Sequence, residues 1–215
     1  LHYANNWLPI KNIAANLEFF GIGMRIVSDS ANILKTQISN TSIEIPDFLT
    51  FDEQLLIKGN ANGETNEFLE FLKYGDLAKK IDNVIEKIKL KATNNNATAD
   101  LKLDLKLPLR NFNNVKILGE VNIKNNNLQL LPNFLPIMKN VSANLTFTEN
   151  SVYSDNIVGE LLEGKIISKL DANSNKISIY NSGKVDFYKT LNTYFLVPNK
   201  IHNYLNVNSN LFRGN

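Results

Sequence analysis

The sequence predicts a mainly β chain, built of repeating strand units and interrupted by a short helical insertion around residues 64–91. Three observations carry this. Apolar and polar residues alternate at period two over long runs. Clusters of Asn, Gly and Ser punctuate those runs. A stretch near the start of the chain returns near residue 135.

Alternation at period two marks a strand with one wet face and one apolar face. The plainest case is Asp100-Leu101-Lys102-Leu103-Asp104-Leu105-Lys106-Leu107, where four leucines point one way and the charges the other. Ile13-Ala14-Ala15-Asn16-Leu17-Glu18-Phe19 has the same pattern. So do Val115, Ile117, Gly119, Val121 and Ile123, and Val141, Ala143, Leu145 and Phe147. Further strand-like runs are 24–27, 33–45, 54–59, 164–170 and 176–187. Turn signals lie at Asn60-Ala61-Asn62-Gly63, 93–96, 125–127, 173–175 and Ser182-Gly183. Gly21-Ile22-Gly23 reads as a turn, and Ser28-Asp29-Ser30 as a loop.

Between residues 64 and 91 the period changes. Phe68, Leu69, Phe71 and Leu72 form one helical stripe, and Leu77, Ile81, Val84, Ile85 and Ile88 another. Glu64, Thr65 or Asn66 is placed to cap the first helix and Asp76 to start the second. The second is amphipathic and carries both Lys and acids, so packing on the apolar sheet face is favoured over a membrane surface. A weaker helical patch covers 188–195. The chain thus divides into a first sheet segment at 1–63, the insertion at 64–91, and a second sheet segment at 92–215.

The repeat pairs Leu8-Pro9-Ile10-Lys11-Asn12-Ile13-Ala14-Ala15-Asn16-Leu17-Glu18-Phe19 with 135–147, after one inserted residue, Met138. The offset is 128 residues from Lys11 onward, and most paired positions are identical. Beyond the match the identity fades. A duplicated unit and a single recurrent strand-and-turn solution both fit. A unit of that size begun twice, with Leu1 in first place, reads as a segment excised from something longer.

Composition narrows the chemistry. Hydrophobic residues make up 43% of the 215 and charged residues 20%, enough apolar material for a core. Lys+Arg 23 against Asp+Glu 21 leaves a net charge of +2, with none of the basic stripe that a duplex needs. Arginine occurs only at 25, 110 and 213, and the aromatics lie opposite the lysines, which argues against nucleic acid. The absence of Cys removes disulfides, thiolate ligands and thiol nucleophiles. Two His, His2 and His202, sit beside no partner, so most metal sites and His-based catalysis drop out. The nearest carboxylate pairs, Asp52/Glu53 and Glu67/Glu70, read as solvated surface. Phosphate-binding glycine loops and nucleophile elbows are missing. Nothing in the sequence reads as a signal peptide or reaches the roughly 18–20 apolar residues of a membrane span. Asparagine, about one residue in six, and plentiful Ile and Lys read as compositional bias, so the four N-x-S/T sequons carry no glycosylation inference.

What remains is an apolar surface. A second sheet can cover it, as in a sandwich, or a lipid can lie in it as in an open groove. Periodicity alone favours the sandwich.

The ordered motifs shift that balance. Leu8-Pro9 with Ile13-x-Ala15-x-Leu17-x-Phe19 and Met24 comes first. Ile33 to Gln37, Ile43-x-Ile45-Pro46-Asp47 and Ile57-x-Gly59-x-Ala61-x-Gly63 follow, then Thr65-x-Glu67-Phe68-Leu69-x-Phe71-Leu72. Next come Leu101-x-Leu103-x-Leu105-x-Leu107-Pro108-Leu109, Gly119-x-Val121 and Asn127-Leu128. Pro132, Leu135-Pro136, Asn140-Val141-x-Ala143-x-Leu145-x-Phe147-Thr148 and Leu161-Leu162 with Gly164 complete the set. In this order they resemble the central part of the YhdP-type members of the AsmA-like, TamB-related family of Gram-negative envelope proteins. The match covers most of 8–170 and weakens over 171–215. Departures are mostly Asn, Lys and Ile on the wet face.

The resemblance implies an elongated β-taco: a curved antiparallel sheet of repeating units with an apolar concave groove. It implies a periplasmic segment of a protein anchored in the inner membrane by a helix outside this chain. That protein carries phospholipid toward the outer membrane, without enzymatic activity or cofactor. On that reading Ile13, Ala15, Leu17, Phe19, Leu101, Leu103, Leu105, Leu107, Val121, Ile123, Val141, Ala143, Leu145 and Phe147 line the lipid path. Lys102 and Lys106 stay on the outer face. The alternative is a structural or adhesive β-domain with a closed core.

Overall fold

The computed structural model describes residues 8–71, 90–110, 114–130 and 136–186. Ten long strands and one short one form a single antiparallel sheet. In chain order they are β1 (Ile10–Phe20), β2 (Gly23–Ile33), β3 (Thr36–Ile45), β4 (Gln54–Glu64), α1 (Thr65–Phe71), β5 (Leu90–Ala92), β6 (Thr98–Pro108), β7 (Lys116–Leu130), β8 (Met138–Thr148), β9 (Ser151–Leu161), β10 (Gly164–Asn173) and β11 (Ile177–Gly183). Neighbours in sequence are neighbours in space from β1 to β4, then β6 to β11. The three-residue β5 pairs the far end of β7, beyond the reach of β6. β1 and β11 are not paired with each other, so the sheet is open, the arrangement of a β-taco. The two-sheet sandwich that periodicity alone favours is not what forms.

The repeat runs deeper than sequence identity. β1 and β8 start and end at the same 128-residue offset, and so do β2 and β9, and β3 and β10. Both copies bulge at the same place, between Lys11 and Ala14 and between Lys139 and Ser142. Asn12 and Asn140, equivalent in the repeat, both take φ 51. Leu34 and Leu162 lead the equivalent β2–β3 and β9–β10 turns at φ 54 and φ 50. The recurrence therefore covers three strands, their turns and a bulge.

Asparagine has local work here. Asn12, Asn40, Asn125 and Asn140 all have positive φ, and each lies at or beside a break in strand register. Asn enters the left-handed region more cheaply than branched or bulky residues. A bulge needs one such residue, and it bends and twists the strand.

This corrects several expectations. Residues 125–127 are a bulge inside β7, not a turn. Asn60 to Gly63 run straight through β4, and Ser182-Gly183 close β11. Ser28-Asp29-Ser30 belong to β2, with the Ser28 hydroxyl donating to the Ala14 carbonyl at 2.9 Å. The run 33–45 is broken by the turn at Leu34-Lys35. The helical stripe at 77–88 and the patch at 188–195 lie outside the described residues.

Gly63 sits in β4 for want of room. A Cβ there would lie 2.4 Å from Thr36 Oγ1, 2.9 Å from its Cβ and 3.0 Å from its Cα. Gly21 differs: it takes φ 57 in the β1–β2 turn and has nothing within 4 Å. Gly63→Ala is expected to lower unfolding free energy in urea by about 1–3 kcal/mol, the usual cost of overpacking. Gly21→Asn, which tolerates that φ, should lie near wild type.

At the other end of the molecule, Glu149 in the β8–β9 turn accepts from Lys116 Nζ at 2.9 Å and from the Ile117 N–H at 3.1 Å. Burial pushes its pKa up, but the Lys116 and backbone hydrogen bonds outweigh that and hold it below the ordinary 4.5. A carboxylate lowered on folding stabilises above its unfolded pKa, and the contribution fades as pH falls through the folded value. Acid titration of thermal stability should therefore show a flatter limb below about pH 4.5 in Glu149→Gln than in wild type.

Candidate functional site

Directly opposed residues in an antiparallel sheet point to the same face. Register therefore shows which side chains meet. Leu17 on β1 opposes Ile26, Ile26 opposes Ile43, and Ile43 opposes Ile57. Ile57 opposes Leu105, and Leu105 opposes Ile117. Six strands thus contribute one unbroken apolar row. At about 4.8 Å between strands it is roughly 24 Å long.

A second row takes over where the first nears the sheet's rim. Gly59 opposes Leu103, Leu103 opposes Gly119, and Gly119 opposes Phe147. Phe147 opposes Val152, Val152 opposes Ala172, and Ala172 opposes Ile177 on β11. Gly119 is small because the Phe147 ring leans over it, whereas a side chain at Gly59 would meet Thr41. A Cβ on Gly119 would lie 2.1 Å from the Phe147 ring. Together the two rows cross every strand from β1 to β11 except β5.

The opposite face is wet. Arg25 pairs Glu44 at 3.1 Å, and Lys58 pairs Asp104 at 2.9 Å. Lys102 opposes Glu120, and Asn62 donates to Asp100. Lys102 and Lys106 are exposed there, as the alternation requires. Leu118, Val158 and Ile167 interrupt this face with exposed apolar groups.

The predicted lining residues fall into three environments. On β1, Leu17 is 56% and Phe19 68% exposed, and Ile13 and Ala15 are exposed too. Leu101, Leu103, Leu107, Val121, Leu145 and Phe147 are half-buried. Leu105 is buried in a cluster with Val115 and Ile117. Ile123, Val141 and Ala143 are buried in another, with Ala92, Ala97, Ala99 and Leu128, and Phe68, Leu90 and Met138 pack against it. These three belong to the expected groove lining, and other side chains of the chain pack on them.

Sequence reasoning missed what holds that cover. Thr65, read as a helix cap, spends its hydroxyl on the Oδ1 of fully buried Asn126 at 2.7 Å. Asn126 Nδ2 donates to the carbonyls of Thr98 and Lys124. Asn66 bonds both the N–H and the carbonyl of Ala92 at 2.9 Å. Glu67, read as solvated, accepts from Thr36 Oγ1 at 2.7 Å and from the Lys35 N–H. A seven-residue helix is marginal alone, so these bonds to β3, β5 and β7 fix it in place. The Asx and Thr residues were visible in sequence; their partners, 26 to 61 positions away, were not.

Among the described residues no three His, Asp or Glu group together as a metal site, and no helix is long and apolar enough to cross a membrane. What the site offers is continuous apolar surface with its charges on the reverse.

Thr65→Val is close in shape but leaves the buried Asn126 oxygen without its donor. It should cost about 1–3 kcal/mol of stability in chemical denaturation. Thr65→Ser, which keeps the hydroxyl, should cost less.

Comparison with curated proteins finds no match, and neither does comparison with solved structures. A family model described as YhdP protein matches residues 1–211. With the open sheet of alternating strands beneath that match, the chain belongs to the YhdP family.

Proposed function

We propose that this chain is a segment of a bridge-like phospholipid transport protein that crosses the periplasm between inner and outer membranes. Acyl chains lie on the leucine face while head groups stay in water. Family membership supports envelope lipid transport. The observation that carries the reading is the pair of apolar rows, which run from β1 to β11 without a charged residue.

The energetics agree. Exposing an acyl chain of ~16 carbons to water costs on the order of 13 kcal/mol, at about 0.8 kcal/mol per methylene. Two chains roughly double it. An apolar surface that stays continuous from strand to strand removes most of that cost at every step. No bond is made or broken, so such a protein needs no catalytic group and no cofactor. Binding resides in the dry side chains: Leu17 and Phe19 at the open β1 side, then Leu103, Leu105 and Phe147 further in. The membrane is engaged through segments outside this chain.

Site-specific photocrosslinking in the full-length, membrane-anchored protein tests this. A crosslinker at Leu103 should give phospholipid adducts, and one at Lys102, on the reverse face, should give none. Crosslinks from Leu103 to protein only would identify a closed core and end the transport reading for this segment.

A further inference from the structure

We propose that Phe68 is the wall of the groove: it limits how deep an acyl chain reaches along the strands. This rests on the lipid-groove reading above. The leucine face extends past Leu101 toward Ala99, Ile123, Ala143 and Val141, and sequence alternation alone would admit lipid there. Those four are buried, as Leu105 and Ile117 in the first row also are, and what sets them apart is a helix residue packed on them. Phe68 of α1 packs on that cluster, as do Leu90 and Met138. Half-exposed Leu101, Leu103 and Val121 lie immediately beyond it.

Phe68 is held as a fixture. The helix that carries it is bonded to β3 through Glu67–Thr36, to β7 through Thr65–Asn126 and to β5 through Asn66–Ala92. An apolar side chain clamped from three strands excludes an acyl chain from the floor it covers. Lipid is left the two rows on the far side of Leu101, toward the β3–β4 and β6–β7 connections. Phe68 thus sets the depth of the path, and the insertion's helix is its support.

The two methionines provide the test. Met24 lies on the leucine face near the open side, opposite Phe19 and Ile45. Met138, half-buried, packs against the covered cluster on the Phe68 side of the groove wall. Photo-methionine is nearly isosteric and replaces both at once. The labelled chain would be irradiated with vesicles of phosphatidylethanolamine and phosphatidylglycerol, and lipid adducts mapped by mass spectrometry. In the natural sequence the expected result is an adduct at Met24 and background at Met138. In Phe68→Ala the Met138 adduct should rise several-fold while Met24 stays level, and Phe68→Leu should fall between.

Equal labelling of Met24 and Met138 with Phe68 in place would overturn the proposal, and this arm requires no mutant to fold. A Met138 signal that stays at background in Phe68→Ala, with Met24 labelled and the circular dichroism spectrum unchanged, would overturn it too. Absence of lipid at Met24 in every variant would instead remove the groove reading on which it stands.

Discussion

Cross-strand register is the constraint on which the rest depends. The side-chain period of a strand is two, so a slip of one residue would send every leucine of β6 to the wet face and every lysine to the dry one. The register is pinned from both sides. Gly119 lies under the Phe147 ring and Gly59 against the Thr41 side chain, so neither position admits a Cβ without a shift of its neighbour. The bulges at Asn12, Asn40, Asn125 and Asn140 absorb extra residues at fixed points, which lets the apolar set return to the same face beyond each one. The exposed ion pairs of the reverse face add little to stability. They mark which face is wet.

The duplication and the bulges belong together. A unit that recurs at 128 residues keeps its strand lengths, its turn geometry and the break near Lys11 or Lys139, while most side chains beyond the first strand have changed. Backbone geometry is what recurs. A sheet that must curve along its whole length needs the same bend at the same place in each unit, and an asparagine in the left-handed region supplies it at little cost.

Much of the fold was legible because alternation is a local property. Leu101 to Leu107 declare a face without reference to any other strand. The misreadings share one cause. Asn and Gly mark turns because they accept positive φ or a missing side chain, and a bulge or a tight cross-strand contact asks for the same thing. Asn125–Asn127 thus read as a turn in sequence but form a bulge, and Gly63 reads as a turn residue where Thr36 leaves no room for a Cβ. The dry face of the candidate site was legible for the same local reason. Its covering was not, since nothing near Thr65 in sequence announces Asn126, and nothing near Phe68 announces Val141.

The two apolar rows do not run straight across the sheet. The first, from Leu17, ends at Ile117 beside the β6–β7 connection, and the second, from Gly59, reaches β11 only by way of Phe147. Neighbouring strands are staggered, so any single row eventually runs off the rim. A continuous dry surface over many strands therefore requires hand-over between rows, and β4, β6 and β7 are where both coexist. Leu103 and Leu105 occupy that overlap, one in each row, two residues apart on one strand. Polar groups buried near the rows do not break them. The Ser28 and Ser154 hydroxyls donate to backbone carbonyls, and that of Ser168 to Asn181. On the proposed reading, an acyl chain moving from β1 toward β11 changes rows between β4 and β7, where Leu103 and Leu105 place a large apolar side chain in each row on one strand.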